Sequence, residues 1–353
     1  MVNGSSDGWN VLLKAYREKG IFLVLGSGVS YDSGVPSWPE LLRRVCLRQH
    51  PDDASLPGKL LDMAPTVFAS FLEERAGSRE ALATMVQHCL YESFPGNSYK
   101  PIDAQSGPLF VETIDHNNQT LRSVSALCVR RAPKGEVYKF QANPRVQAVM
   151  TTNYDNLLQS HSRAKYGELT SRGFDRHSLI LRTVERASAA APVGKIGVYH
   201  VHGSIRYDKA IGDHSKHAPD LMILTEQDFF DTFNNPTRIS TYTFLHLLRE
   251  HTALFIGLSM QDENLRRLLH YSKQERAESY RTEGEREGAI RGLVRRHVAL
   301  LLDHEDEEVN DAHEATLAPL GVHVIWLQSF DEIETKLAEL YNSTRDAEWK
   351  DVY

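Results

Sequence analysis

The chain has 353 residues, 41% hydrophobic and 25% charged, a profile of a globular protein long enough to bury a large core. Its net charge of −7 argues against broad nucleic-acid binding, which needs a basic face to displace counterions. No apolar run approaches the ~20 residues of a membrane helix and no apolar signal core stands at the N-terminus, so a cytoplasmic protein without a membrane partner is expected.

Residues 1–8 are small and polar and read as a flexible terminus. Apolar Val11, Leu12, Leu13 and Tyr16 predict a short helix over Trp9 to Lys19. Ile21 to Leu25 is an unbroken apolar run that suits a strand buried on both faces, and Gly26-Ser27-Gly28 breaks it where such a strand hands over to a helix. Strand, glycine turn and helix start together make a phosphate cradle, with a nucleotide as the natural guest. The dinucleotide pattern G-x-G-x-x-G fails, because Tyr31 stands where its third glycine belongs, and no P-loop G-K-[ST] follows. Ser37 and Glu40 stand at capping-box spacing before a helix with Trp38, Leu41, Leu42 and Val45 on one face.

Residues 50–145 read as a helical insertion over the nucleotide fold. Amphipathic stretches near Pro57–Arg75 and Ser78–Phe94 precede a polar section around Gly96–Asn118 and a helix near Gln119–Arg131. The α/β pattern resumes with the strand Val146–Thr152, ending in Asn153-Tyr154-Asp155. It recurs at Gly197–Ser204, which delivers His200, His202 and Gly203, and at Ala253–Ser259, followed by Asp262 and Asn264. Strands at His297–Leu302 and Val322–Leu327 and a helix at Ile333–Leu340 complete the sheet. The expected fold is α/β, a doubly wound Rossmann-like parallel sheet with a helical insertion. One domain would span 9–345, with residues 346–353 a second flexible terminus. In such sheets, ligand groups gather outside the carboxyl ends of the strands.

Each candidate also has a plain structural role. Asn153 suits the cap of the helix that follows it, His200 and His202 would share one face of a strand, and Asp262 and Asn264 fit a helix start. Ser30 with His202 does not make a hydrolase pair, because the nucleophile-elbow pattern G-x-S-x-G is not formed. Cys46, Cys89 and Cys128 lie far apart without a C-x-x-C pair, so buried free thiols are expected and a metal site is not.

Taken in order, Gly26-Ser27-Gly28-Val29-Ser30 with Ser33-Gly34-Val35-Pro36, then Thr151-Thr152-Asn153-Tyr154-Asp155, His202-Gly203 and Gly257-Leu258-Ser259, resemble the sirtuin superfamily. Its motifs G-A-G-x-S with S-G-[IV]-P, T-Q-N-x-D, H-G and G-[TS]-S stand in the same sequence. The likeness runs from Ile21 to about Leu340. The segments Leu221–Glu226 with Phe229-Phe230, and Leu254–Leu269, further resemble bacterial sirtuin-like proteins that consume NAD in antiphage defence.

The resemblance implies NAD as substrate. Asn153 would fix the ribose hydroxyls or the attacking water, and His202 would take a proton. Gly26, Ser27, Gly28 and Ser30 would cradle the pyrophosphate, Asp155 would orient the amide end or its loop, and Gly257 with Ser259 would approach the adenosine ribose. Sirtuin deacylases continue G-I-P with an aromatic residue and arginine, whereas Ser37-Trp38-Pro39 follows Pro36 here, and three cysteines cannot build their four-cysteine zinc ribbon. These departures point away from an acyl-peptide groove and toward water as acceptor, giving an NAD glycohydrolase without zinc. The alternatives are a protein deacylase or ADP-ribosyltransferase and, from another class, a non-catalytic nucleotide sensor. A homo-oligomer under a regulatory partner, such as an ATPase or another defence component, is expected, because an unrestrained enzyme would drain the cell's NAD.

Overall fold

The computed structural model describes residues 3–60, 62–93, 106–170, 173–184, 193–207, 222–234, 239–344 and 347–353. Helix α1 (Asn3–Glu18) leads into β1 (Ile21–Leu25), two 3-10 turns (Ser27–Val29 and Tyr31–Ser33) and α2 (Trp38–Gln49). The segment 50–145, expected to be a helical insertion, holds α3 (Leu56–Leu60), α4 (Pro65–Ala76), α5 (Arg79–Leu90), α6 (Ser106–Asn117) and α7 (Gln119–Leu127), then a small ribbon of β2 (Val129–Arg131) and β3 (Phe140–Ala142). After β4 (Val146–Thr151) and α8 (Leu157–Tyr166) come the ribbon β5 (Leu169–Thr170) with β6 (Gly173–Phe174), then β7 (Leu181–Thr183) and β8 (Ile196–His200). Helices α9 (Glu226–Asn234) and α10 (Ile239–Glu250) precede β9 (Thr252–Ile256), α11 (Glu263–Thr282), α12 (Glu287–Val294) and β10 (His297–Leu302). Helix α13 (Glu307–Leu317), β11 (Val322–Leu327) and α14 (Glu332–Asn342) close the fold.

The main sheet runs β11-β10-β9-β1-β4-β8-β7, with its strand pairs parallel. Alternation along β1 explains the two layers of helices. Ile21, Leu23 and Leu25 join a core with Leu12 and Tyr16 of α1 and Leu337 and Leu340 of α14, whereas Phe22 and Val24 join one with Leu248 of α10 and Leu265 and Leu269 of α11. The chain builds outward from β1 to β4 and β8, then returns to lay β9, β10 and β11 on the other side. The order therefore reverses between β1 and β9, the crevice where doubly wound sheets receive ligands. Register brings the strand ends level: Leu25 pairs with both Thr151 and Ile256, and Thr151 with His200.

Several local expectations change. Tyr31 and Asp32 belong to a second 3-10 turn, so the glycine loop does not open directly into a helix; α2 begins only at Trp38. The capping box at its start does not form, because the Glu40 carboxylate is taken by Arg43 (2.6 Å) and Arg44 (2.9 Å). Those hydrogen bonds, Arg43 foremost, hold it down at about 2. Of the section Gly96–Asn118 read as polar, 96–105 lies outside the described residues, Ser106–Asn117 is helix α6, which buries Phe110 and Ile114, and Asn118 caps α7.

The termini expected to be flexible carry structure as well. Residues 3–8 belong to α1, while residues 1–2 and 345–346 lie outside the described residues. Trp349 and Val352 are buried, Trp349 stacks on Tyr353 at 5.1 Å, and the Tyr166 hydroxyl donates to the Val352 carbonyl at 2.7 Å. These aromatic contacts outweigh the polar residues around them. The three cysteines are buried and free. Burial pushes the Cys89 thiol up to about 11 and Cys128 to about 12. Among the described residues, no helix is long and apolar enough to cross a membrane.

Candidate active site

The loop after β1 sits against the loop after β9. The Gly26 amide donates to the Ile256 carbonyl and the Gly28 amide to the Gly257 carbonyl, each at 3.0 Å. A Cβ on Gly26 would stand 2.4 Å from the Gly257 oxygen, and one on Gly257, whose φ is +69°, would stand 2.6 Å from the Val29 nitrogen. Glycine is therefore demanded here by backbone packing on backbone. The Val29 and Ser30 amides turn back to the Gly26 and Ser27 carbonyls. Four amides of the stretch Gly26–Ser30 are thus spent within the protein, and the α-helix after the loop begins only at Trp38. Gly26, Gly28 and Ser30 do not line the neighbouring cavity, whereas Ser27 does.

That cavity, of about 350 Å³, lies at the strand ends. Ser27, Asn153, Asp155, His202, Gly257 and Ser259 reach it, with Trp38, Tyr154, Leu258 and Phe229 as apolar walls. Seven of the nine residues singled out from the sequence either line it or, as with Ser30, support one that does. Gly26 and Gly28 instead pack the two loops together.

Asn153 is held from three sides. Its amide nitrogen donates to Thr151 Oγ1 (3.1 Å), its carbonyl accepts from His200 Nδ1 (2.8 Å), and its side-chain Nδ2 donates to Ser30 Oγ (3.3 Å). Ser30 Oγ in turn donates to Asp155 Oδ1 at 3.0 Å. Asn153 Oδ1 is left buried with no protein partner. Such an orphaned acceptor carries a desolvation cost unless a ligand or water donates to it. Capping of the next helix falls elsewhere: Asp155 Oδ1 accepts from the Leu157 amide at 3.1 Å. Burial raises the Asp155 carboxyl, against the Leu157 and Ser30 hydrogen bonds that lower it.

The two histidines separate cleanly. Strand β8 ends at His200, so His202 lies in the turn beyond and does not share a strand face with it. Because His200 Nδ1 donates to a carbonyl, its Nε2 must accept, and Gln159 Nε2 supplies the proton at 2.6 Å. Burial pushes His200 down to about 4, keeping it neutral. His202 instead borders the cavity, and Gly203 with φ +89° makes the sharp turn after it. The His202 ring lies 5.6 Å from that of Phe229 and 6.4 Å from that of Tyr154, and its carbonyl accepts from the Ile223 amide at 2.9 Å.

Asp262 was read as a helix start, and it is one: Oδ1 accepts from the Leu265 amide at 2.7 Å. Its other oxygen stands 3.9 Å from His202 Nε2. With Oδ1 engaged in the capping bond, Oδ2 is the oxygen that faces the imidazole. Met260, two residues earlier, is 2% exposed with φ +59°, a strained conformation that bends the loop to present Ser259 and Asp262. Asn118, at the α6–α7 junction, was missed as well. Its Nδ2 donates to the Val29 carbonyl (2.9 Å) and Ser33 Oγ (2.8 Å), so the insertion clamps the glycine loop.

Residues 147–325 match the model of the SIR2-like domain. The chain belongs to the SIR2-like family. SIR2-like domains are NAD-dependent enzymes, so the fold and the crevice at the β1–β9 reversal have a dinucleotide to account for. The match begins in β4 and ends in β11, covering Asn153, His202, Gly257 and Asp262. The glycine loop lies outside it, and reaches the SIR2-like site through the two hydrogen bonds to the β9 end. No curated protein matches the chain. Among the described residues, no group of three or more His, Cys, Asp or Glu side chains is placed to hold a metal ion.

Proposed function

We propose that this SIR2-like chain is an NAD glycohydrolase that cleaves NAD to nicotinamide and ADP-ribose, with water as acceptor. The observation that carries the reading is the pairing of Asn153, with one buried acceptor to spare, and His202 on one small, largely apolar cavity. Breaking the nicotinamide–ribose bond develops positive charge on the ribose and needs a nucleophile held beneath the anomeric carbon. Asn153 Oδ1 accepts a hydrogen bond from a ribose hydroxyl or the attacking water, and His202 takes the proton that water or hydroxyl gives up. In the cavity of about 350 Å³ the nicotinamide–ribose end sits at Asn153 and His202, and the adenosine half runs toward the β9 loop at Gly257 and Ser259, which border the same cavity.

The biological role that fits such an activity is NAD depletion in antiphage defence by abortive infection. On this reading the enzyme works in the cytoplasm as a homo-oligomer, restrained until a partner protein such as an ATPase, or an infection-derived trigger, releases it. Residues 50–145 supply the self-association face. Purified protein mixed with NAD, with and without an acylated peptide, tests the chemistry. Nicotinamide release without peptide supports hydrolysis. Release only with peptide would make the chain a deacylase or transferase, and NAD binding without release in any assembly state would make it a sensor.

A further inference from the structure

Two contacts to His202 come from the segment 222–234. The Ile223 amide donates to the His202 carbonyl at 2.9 Å, and Phe229 packs 5.6 Å from the imidazole. The Tyr154 hydroxyl, from the cavity wall, donates to the Ile223 carbonyl. What holds this segment is Asp228, in the first turn of α9. Its Oδ2 accepts from the Leu224 amide (2.9 Å) and the Thr225 amide (2.8 Å), while its own amide donates to Thr225 Oγ1 (3.3 Å). The same oxygen receives Arg79 Nη2 at 2.7 Å.

Arg79 is the first residue of α5 in the insertion. It also donates to the Met222 carbonyl and pairs with Glu73 of α4 at 3.2 Å, and Ser70 of α4 accepts from the Glu226 amide at 3.2 Å. Burial alone would raise the Asp228 carboxyl; the Thr225 and Leu224 amides and the Arg79 guanidinium leave it below the ordinary carboxylate value. The pair is half-buried, with side-chain exposures of 18% and 24%, and four further side-chain hydrogen bonds fix its geometry, so it is stiffer than a surface ion pair.

We propose that the Arg79–Asp228 pair positions His202, making the α4–α5 helices the element through which the site is controlled. The proposal rests on the NAD-cleaving reading for its kinetic readout. A partner that displaces α5 withdraws Arg79, frees the first turn of α9, and takes away both the Ile223 hydrogen bond and the Phe229 wall. Arg79 and Asp228 are positioning residues and touch no reacting atom.

The test compares wild type, Arg79→Gln and Arg79→Lys by nicotinamide release, by NAD affinity, and by the ring resonances of isotope-labelled histidine. His202→Asn assigns the His202 signal. Arg79→Gln is expected to move that signal and lower kcat about 10- to 100-fold, the cost of a misplaced reacting group, with NAD affinity within about twofold of wild type. Arg79→Lys keeps the charge without the two-pronged reach and falls between. An unmoved His202 signal in Arg79→Gln, or a loss of affinity as large as the loss of kcat, would overturn the proposal. If wild type released no nicotinamide, the NAD-cleaving reading would fall, and the His202 signal alone would still decide the positioning role.

Discussion

The Asn153 side-chain amide donates to Ser30, which lies 123 positions earlier in the chain, and the Ser30 hydroxyl passes its own proton on to Asp155. One serine from the β1 loop thereby fixes which way the Asn153 amide faces. With Nδ2 occupied, Oδ1 is the atom left for a ligand.

Ser30→Ala breaks this relay: Asn153 Nδ2 loses Ser30 Oγ as its acceptor, and Asp155 Oδ1 loses the Ser30 hydroxyl and keeps the Leu157 amide. The expected result is a loss of stability of about 1–3 kcal/mol and a fall in NAD turnover on the order of tenfold, because the amide is then free to flip. Denaturant melts and a nicotinamide assay measure both. Wild-type turnover in a folded Ser30→Ala protein would mean that the relay does not position Asn153.

Close packing of the two glycine loops makes a steric prediction. In Gly26→Ala the new methyl meets a backbone carbonyl at 2.4 Å that cannot give way without moving β9, so a cost of about 1–3 kcal/mol and weakened NAD binding are expected. Gly77 is the control: its φ is +74°, yet a Cβ there meets open space, and Gly77→Ala should cost only about 1 kcal/mol with NAD binding untouched. Equal effects in the two variants would count against the packing role.

His200 makes the fold acid-sensitive. The folded chain keeps it neutral down to about 4, whereas the unfolded chain takes up the proton near 6.5, so between those values the unfolded state binds more protons. Its contribution is full above the upper value and is lost as pH falls toward the lower one, on the order of 3 kcal/mol in all. The melting temperature should therefore drop between pH 7 and pH 5 by more in wild type than in His200→Gln. The same slope in both proteins would show that His200 does not titrate on unfolding.

Asp262→Asn separates the two jobs of that side chain. Asparagine still accepts from the Leu265 amide and keeps α11 capped, but removes the charge facing His202. Stability within about 0.5 kcal/mol of wild type and a fall in kcat of about tenfold are expected. A variant with unchanged kcat would reduce Asp262 to the helix start that its sequence suggests.

How much of this was legible depended on the range of the interaction. The five residues Ile21–Leu25 form a strand because all are apolar, a local property, and the strand ends at Leu302 and Leu327 were readable for the same reason. The strand ends that carry Asn153 and His202 were readable because each follows an apolar run, where a parallel sheet presents its ligand groups, whereas the choice of His202 over His200 rested on the likeness of His202-Gly203 to the sirtuin H-G motif. The roles of Ser30, Asn118 and Arg79 were not readable, since each acts on a residue 89 or more positions away. The glycine turn misled in the opposite sense. Gly26 and Gly28 suggest close approach to a phosphate, and close approach there is, but to Gly257. Helix α6 was hidden by the polar residues before it and by Gly107 and Pro108 in its first turn, and is held by packing of Phe110 and Ile114 into the larger core.

The measurement that bears most directly on the account is nicotinamide release from NAD by the activated wild-type protein and by Asn153→Ala, His202→Ala and His200→Ala. Asn153→Ala and His202→Ala should each lose about 10²-fold or more in kcat while NAD binding and the fold persist, with His200→Ala milder because it acts through the Asn153 carbonyl. An inactive His200→Ala beside an active His202→Ala would contradict the assignment of the base, and full release from Asn153→Ala would contradict the site itself.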